Sequence, residues 1–140
     1  MNKTLESLAT LTGRLFLSAI FMMAGFGKIM DLSGTSAYMA SQGMPLVPFF
    51  LAMAIIFELG GGLSLLIGFK TRWGALALIA FLIPTTLIFH NFWADPPDQR
   101  QLQMIMFLKN LAILGGLLTV LAHGPGSMSI DSRTSKKTKT

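Results

Sequence analysis

The chain has 140 residues, of which 52% are hydrophobic and 12% charged, and it carries a net charge of +5. The charged share is half that of soluble domains, and no soluble core of this size hides so much apolar side chain, so a water-soluble globule is excluded. The absence of cysteine excludes disulfides, thiol exchange and iron–sulfur ligation within the chain.

Four segments approach the roughly 20 residues that cross about 30 Å of hydrocarbon: 8–29, 48–69, 73–93 and 102–121. The uncharged part of the first, 15–27, is as short as a signal-peptide apolar region, but no small-x-small cleavage site follows Gly27 before Asp31. It is therefore retained as a span, with the long stems of Arg14 and Lys28 carrying charge toward the headgroups. Arg14, Ser18, Phe21, Gly25 and Lys28 recur at spacings of four, three, four and three, which puts them on one inward face.

The connection DLSGTSAYMASQGMP, residues 31–45, reads as a surface connector with a short interfacial helix over 35–41. Ser33 is its expected N-cap, Tyr38 lies at headgroup depth, and Gly43 and Pro45 end it.

The second span holds Glu58 at its middle. A carboxylate at the bilayer midplane costs at least a few kcal/mol, so it faces protein or water and has a partner. Glu58, Gly61, Gly62 and Leu65 share one face. The third span runs from Trp73 to Trp93, an aromatic belt residue at each end, with His90 and Asn91 near its outer mouth. The loop 94–100 contains Pro96-Pro97 and reads as non-helical.

In the fourth span, Lys109, Ala112, Ile113 and Gly116 fall on one face, and Gly115 and Thr119 add to a small-residue cluster. In lipid such residues let backbones approach closely, so Gly25, Gly61, Gly62, Gly115 and Gly116 are the expected helix-packing positions. Residues 1–126 form the membrane domain on this reading, and the basic tail 127–140 is expected to be disordered.

With four spans both termini share a side. That side holds Lys3, the Lys70-Thr71-Arg72 turn and the tail cations, so the positive-inside rule predicts both termini in the cytoplasm. The charge then reflects topology and an anionic leaflet, not nucleic acid.

Depth follows from a rise of about 1.5 Å per residue: Lys28 and His90 within a turn of the outer surface, Lys109 about 10 Å down, Glu58 about 15 Å and Arg14 about 20 Å. Lys109 is the favoured partner of Glu58, and Arg14 competes. Asp31 can neutralise Lys28 locally. One buried acid facing several bases leaves cations for outside acceptor oxygens: a lipid phosphate, an anionic metabolite, a quinone carbonyl or a partner's carboxylate. For a quinone, Lys109, His90 and Asn110 are the expected donors, and Phe89, Phe92 and Trp93 the ring contacts. His90 and His123 sit at opposite faces and cannot both ligate one haem within a single subunit, and no metal-spaced cluster, phosphate loop or nucleophile elbow occurs.

The stretches GRLFLSAIFMMAGFGKIMDLSGTSAYMASQGMP, ELGGGLSLLIGFKTR, FHNFW, MFLKNLAILGGLL and GPGSMSID resemble, in order, the DoxX family of small four-helix membrane proteins. The likeness covers residues 13–131 and is nearest the short bacterial inner-membrane members. It implies an all-α integral membrane four-helix bundle. Arg14, Gly25, Lys28, Glu58, Gly61, His90, Lys109, Asn110 and Gly116 match family positions, with no catalytic assignment to carry over. The family's links to membrane oxidoreductases imply an accessory subunit of a quinone-linked redox system, not an enzyme by itself. Its partners would be membrane lipids and oxidoreductase subunits, with self-association open. A small polar-solute or anion transporter, a self-sufficient quinone reductase and a structural assembly factor are the alternatives.

Overall fold

A computed structural model describes residues 2–137, without the side chains of 135–137; Met1 and residues 138–140 of the expected basic tail lie outside the described residues. The order of elements is α1 (Lys3–Met30), α2 (Leu32–Ser41), α3 (Val47–Ile67), α4 (Thr71–Phe89), α5 (Pro97–His123) and α6 (Ile130–Lys137). Helices α1, α3, α4 and α5 are long and apolar enough to cross a membrane, as the four apolar runs predict.

Local sequence sets the boundaries. Asn2 caps α1 by accepting from Thr4 N at 3.2 Å. Asp31 ends α1 and caps α2, its carboxylate accepting from Gly34 N at 2.8 Å. The cap is thus Asp31 and not the expected Ser33, and α2 starts three residues earlier than predicted. Gly68, at φ +70°, ends α3 in the left-handed conformation that glycine adopts without strain. Helix α5 begins at Pro97 itself, where the loop 94–100 was expected to be irregular. The missing N–H of proline costs nothing in a first turn, so the Pro pair starts this helix.

The spans pack in the order α1, α3, α4, α5, and α5 touches α1 only lightly. Phe21, Leu65, Ala75, Leu78, Leu82 and Leu117 fill the centre. Small residues set the close crossings. A Cβ built on Gly25 would come 2.7 Å from Leu59 Cδ2, one on Gly61 2.5 Å from Leu78 Cγ, and one on Gly62 3.0 Å from Met22 Sδ. Gly116 faces Leu17 at 3.1 Å. Gly115 corrects the expectation, because a Cβ there meets nothing within 4 Å. Helix α5 buries Asn110, Leu117 and Val120, so it is rotated away from the face expected to point inward.

The segment after Gly126, expected to be disordered, returns to the bundle and forms α6. Ser129 is buried, and Asp131 N donates to Gly68 O at 2.9 Å. The Asp131 carboxylate takes Lys70 N on Oδ1 at 2.8 Å, and Thr71 N and Oγ1 on Oδ2 at 2.9 Å each. It thereby caps α4, whose own N-cap position, Lys70, supplies no side-chain bond. Burial raises the Asp131 carboxyl, but these bonds and the charge of Arg14 outweigh it and hold it below its ordinary value.

Candidate functional site

The inward face of α1 read from spacing is the observed one: Arg14, Ser18, Phe21 and Gly25 are all buried. The same holds on α3 for Glu58, Gly61, Gly62 and Leu65. Which charges these faces bring together differs from the expectation. Lys28 Nζ lies 2.8 Å from Glu58 Oε1, the one ion pair among the described residues.

Helix geometry accounts for the pairing. A Cβ built on Gly25 would lie 3.4 Å from Glu58 Cβ, so Gly25 and Glu58 are level. Lys28 is one turn farther out on the same face, and α-helical side chains lean toward the helix N-terminus, here back toward Glu58. Counting depth from two flush outer ends misses this lean.

Lys109 is not the partner of Glu58. Helices α3 and α5 are separated by α4, and Lys109 is exposed, its Nζ 3.3 Å from Met106 Sδ. Arg14 is not the partner either. It is 1% exposed and donates from Nη1 to Leu65 O at 2.8 Å and from Nη2 to Met128 O at 2.5 Å. It ties α1 to the end of α3 and to the returning C-terminal segment. Below it in the chain, Ser18 Oγ donates to Gly62 O at 2.8 Å.

Asn110 is buried and donates from Nδ2 to Thr86 Oγ1 at 3.0 Å, which joins α5 to α4. His90 Nδ1 lies 2.8 Å from Gln103 Oε1. With that oxygen as acceptor, Nδ1 carries the hydrogen and Nε2 is left as an acceptor in the neutral ring.

The ion pair adjoins a cavity of about 730 Å³ between α1, α2, α3 and α4. Its wall is aromatic and aliphatic: Phe49, Phe50, Phe57, Phe81, Phe89, Met39 and Met53. Few polar side chains reach it, namely Lys28, Thr35, Tyr38, Thr85 and His90. Lys28, 24% exposed along its side chain, presents its charge from the floor, and buried Glu58 stands behind it with Oε2 unpartnered.

Helix α2 lies across the outer end. Tyr38 stacks on Phe89 with ring centroids 5.6 Å apart, and Met39 is buried beneath. Burial, and then the charge of Asp95, push the Tyr38 phenol above its ordinary value, so it remains a hydrogen-bond donor at neutral pH. Pro84, inside α4, has no N–H to offer Ala80 O, and both residues line the cavity. Irregular backbone at membrane depth is tolerated where it lines a cavity.

Of the residues singled out from sequence, Lys28 and His90 line this space and Glu58 backs it. Lys109, Arg14 and Asn110 do not line it, and neither do Phe92 and Trp93, which pack edge to face on each other and on Phe107. Sequence reading missed Tyr38 and Thr85 as members; the signal for Tyr38 was a lone polar aromatic in the outer connection. Among the described residues no cluster of His, Asp or Glu is suited to a metal ion.

The DoxX family model matches residues 9–91, which span α1 to the end of α4. The inner membrane protein YqjF of Escherichia coli K12 is 40% identical over 135 residues, 96% of this chain and 98% of that protein. Inner membrane protein YphA of the same organism is 35% identical over 123 residues, 88% of each chain. A Surfeit locus protein 4 homolog of Drosophila melanogaster is 32% identical over 114 residues, 71% of this chain and 42% of that protein. No solved structure matches the chain at a significant level. A family match over more than half the chain, near-full-length relatives in a bacterial inner membrane and four membrane-length helices lead to one conclusion: the chain belongs to the DoxX family and is a multi-pass inner-membrane protein.

Proposed function

We propose that this protein is an accessory subunit of a quinone-linked membrane redox system and that the cavity beside Lys28 and Glu58 holds the quinone. The observation that carries the reading is the cavity itself. It encloses about 730 Å³ of largely apolar space with a single Lys side chain at its floor and a phenol at its mouth. A quinone has flat apolar rings and two carbonyl acceptors. Lys28 Nζ and the Tyr38 hydroxyl are donors suited to those carbonyls, and the Phe and Met walls suit the ring and its tail. These donors replace the Lys109 and Asn110 expected from sequence, and no residue is assigned a catalytic role.

Lys109 supports the accessory-subunit part. It is a cation on the exposed face of α5, beside the outward Ala112, Gly115 and Thr119. A charge in that position is stabilised by a carboxylate on another membrane helix, and small residues let that helix approach. Among the described residues, the start of α1, the Lys70–Arg72 turn and α6 lie at one end of the bundle. With the basic residues gathered there, both termini face the cytoplasm on this reading and the cavity opens at the outer half.

The test is the content of purified protein. Protein extracted in mild detergent is expected to carry quinone, and Ala80→Trp, which fills the cavity from its edge, is expected to lose it while keeping the helical spectrum. Lys28→Met is expected to lose it too. Equal quinone in wild type and Ala80→Trp would mean it is dissolved in the micelle and would end the quinone reading. Substrate-dependent flux in liposomes would favour a transporter.

A further inference from the structure

At the other end of the bundle, the α3–α4 turn carries cations that the quinone reading does not use. A cavity of about 520 Å³ there is walled by Lys70, Arg72 and Trp73 on one side and by His123, Gly124 and Asp131 on the other. Arg72 is held by one 3.2 Å bond from Nη2 to Ala122 O, which leaves its other N–H groups for a further acceptor. Lys70 Nζ lies 5.8 Å from the Phe69 ring centre. The carboxylate in the wall, Asp131, is engaged with Lys70 N, Thr71 N and Thr71 Oγ1. It therefore offsets the positive end of α4 and forms no ion pair with the Lys70 or Arg72 side chains among the described residues.

A second groove, of about 500 Å³, shares Lys70 and Trp73 with this cavity and descends between α3 and α4. It passes Ile67, Gly74 and Gly60 to reach Ile56 and Met53. From residue 67 to residue 53 the helix rise gives about 20 Å, more than half of the roughly 30 Å hydrocarbon thickness. The groove is open at Gly60, where a Cβ would meet nothing within 4 Å. Its wall is apolar apart from Lys70 and Ser64, and the Ser64 hydroxyl is turned to Phe69 O at 2.7 Å.

A small anion needs only the first space, and an acyl chain needs only the second. Lys70 and Trp73 join them, with the Trp73 indole 72% exposed at headgroup level. We infer that the α3–α4 face is a site for one anionic phospholipid, its phosphate between Lys70 and Arg72 and one acyl chain in the groove past Gly60.

The two tryptophans lie at opposite ends of the bundle, so Trp93→Phe leaves Trp73 as a single reporter beside the site. That protein, reconstituted in unlabelled phosphatidylcholine, is titrated with phosphatidylglycerol or phosphatidylcholine brominated near the headgroup end of the chain, and quenching is read. Phosphatidylglycerol is expected to bind up to about thirty-fold more tightly, about five-fold for each cation. Adding Lys70→Asn and Arg72→Gln is expected to bring the ratio to about one; asparagine tolerates the left-handed backbone of residue 70, at φ +48°. Gly60→Leu, which keeps both cations and fills the groove, is expected to weaken both lipids. Size exclusion and the helical spectrum check that each variant is folded, and Gly60→Leu decides if the charge variant is not. Equal quenching by the two lipids, a ratio that survives the charge variant, or unaltered binding in Gly60→Leu would overturn the proposal. So would displacement by glycerol phosphate at the affinity of the whole lipid, which would mark a small-anion site.

Discussion

Lys28 and Glu58 bridge α1 and α3 across 2.8 Å, with Glu58 at the level where Gly25 brings the two backbones together and Lys28 reaching back from one turn above. The pair and the glycine act as a unit, because the close approach sets how far Lys28 must reach. Removing either charge leaves the other in a low-dielectric setting without compensation. Lys28→Met and Glu58→Gln are each expected to cost about 2–3 kcal/mol, at the low end for buried pairs because Lys28 is 24% exposed along its side chain. The double variant recovers part of the loss, whereas Lys109→Met adds independently to Glu58→Gln. Thermal unfolding in detergent across this cycle checks both statements, and coupling of Glu58 to Lys109 would refute the pairing.

The glycine positions are expected to divide sharply. Gly61→Ala directs a methyl at Leu78, which is 0% exposed and has nowhere to move, so a loss of about 1–3 kcal/mol follows. Gly115→Ala meets nothing and raises helix propensity, so it leaves the melting temperature unchanged or slightly higher. Equal losses at the two sites would mean that α5 packs differently.

Acid is expected to release the C-terminal segment. The Asp131 carboxyl has a folded-state value below its ordinary one, so its contribution is present above the ordinary carboxylate range and is lost as pH falls from about 4 toward the lowered value. Limited proteolysis at Arg133 with an acid-active protease should accelerate through that window in wild type. In Asp131→Asn, cleavage should be fast and independent of pH over the same range. A pH dependence unchanged by Asp131→Asn would assign it to another group.

Orientation is open to direct labelling, since the chain has no cysteine. Ser33→Cys and Asp98→Cys, both exposed at one end, are expected to react with an impermeant maleimide on intact cells. Ser127→Cys, exposed at the other end, is expected to react only after lysis. The reverse pattern would turn the protein over in the membrane. Thr71 is unsuitable for this purpose because it is 0% exposed and bonded to Asp131.

Period and length made the frame legible. The α1 face from Arg14 to Gly25 and the α3 face from Glu58 to Leu65 follow from helical spacing, and both are buried. Pairing was not legible, since spacing fixes a face but not which neighbour it meets. The neighbour relation α1–α3–α4–α5 is what separates Lys109 from Glu58. The rotation of α5 was hidden for a related reason: its lipid-facing and protein-facing sides are almost equally apolar, and its small residues lie on both. Family resemblance supplied the bundle but no neighbour order. Tyr38 joined the cavity only once α2 was seen to lie across it, and the fate of the tail depended on an acceptor, Asp131, matched to a turn some sixty residues earlier.

That last distance has a temporal side. Thr71 leaves the ribosome 60 residues before the aspartate that caps its helix. Until then the first turn of α4 carries amide groups with no side-chain acceptor of their own, and the α3–α4 hairpin enters the bilayer unfinished. Synthesis of the Asp131 segment thus doubles as a latching step: a stretch made later secures a turn made much earlier. A chain stalled before Asp131 would hold four spans with that turn still unlatched.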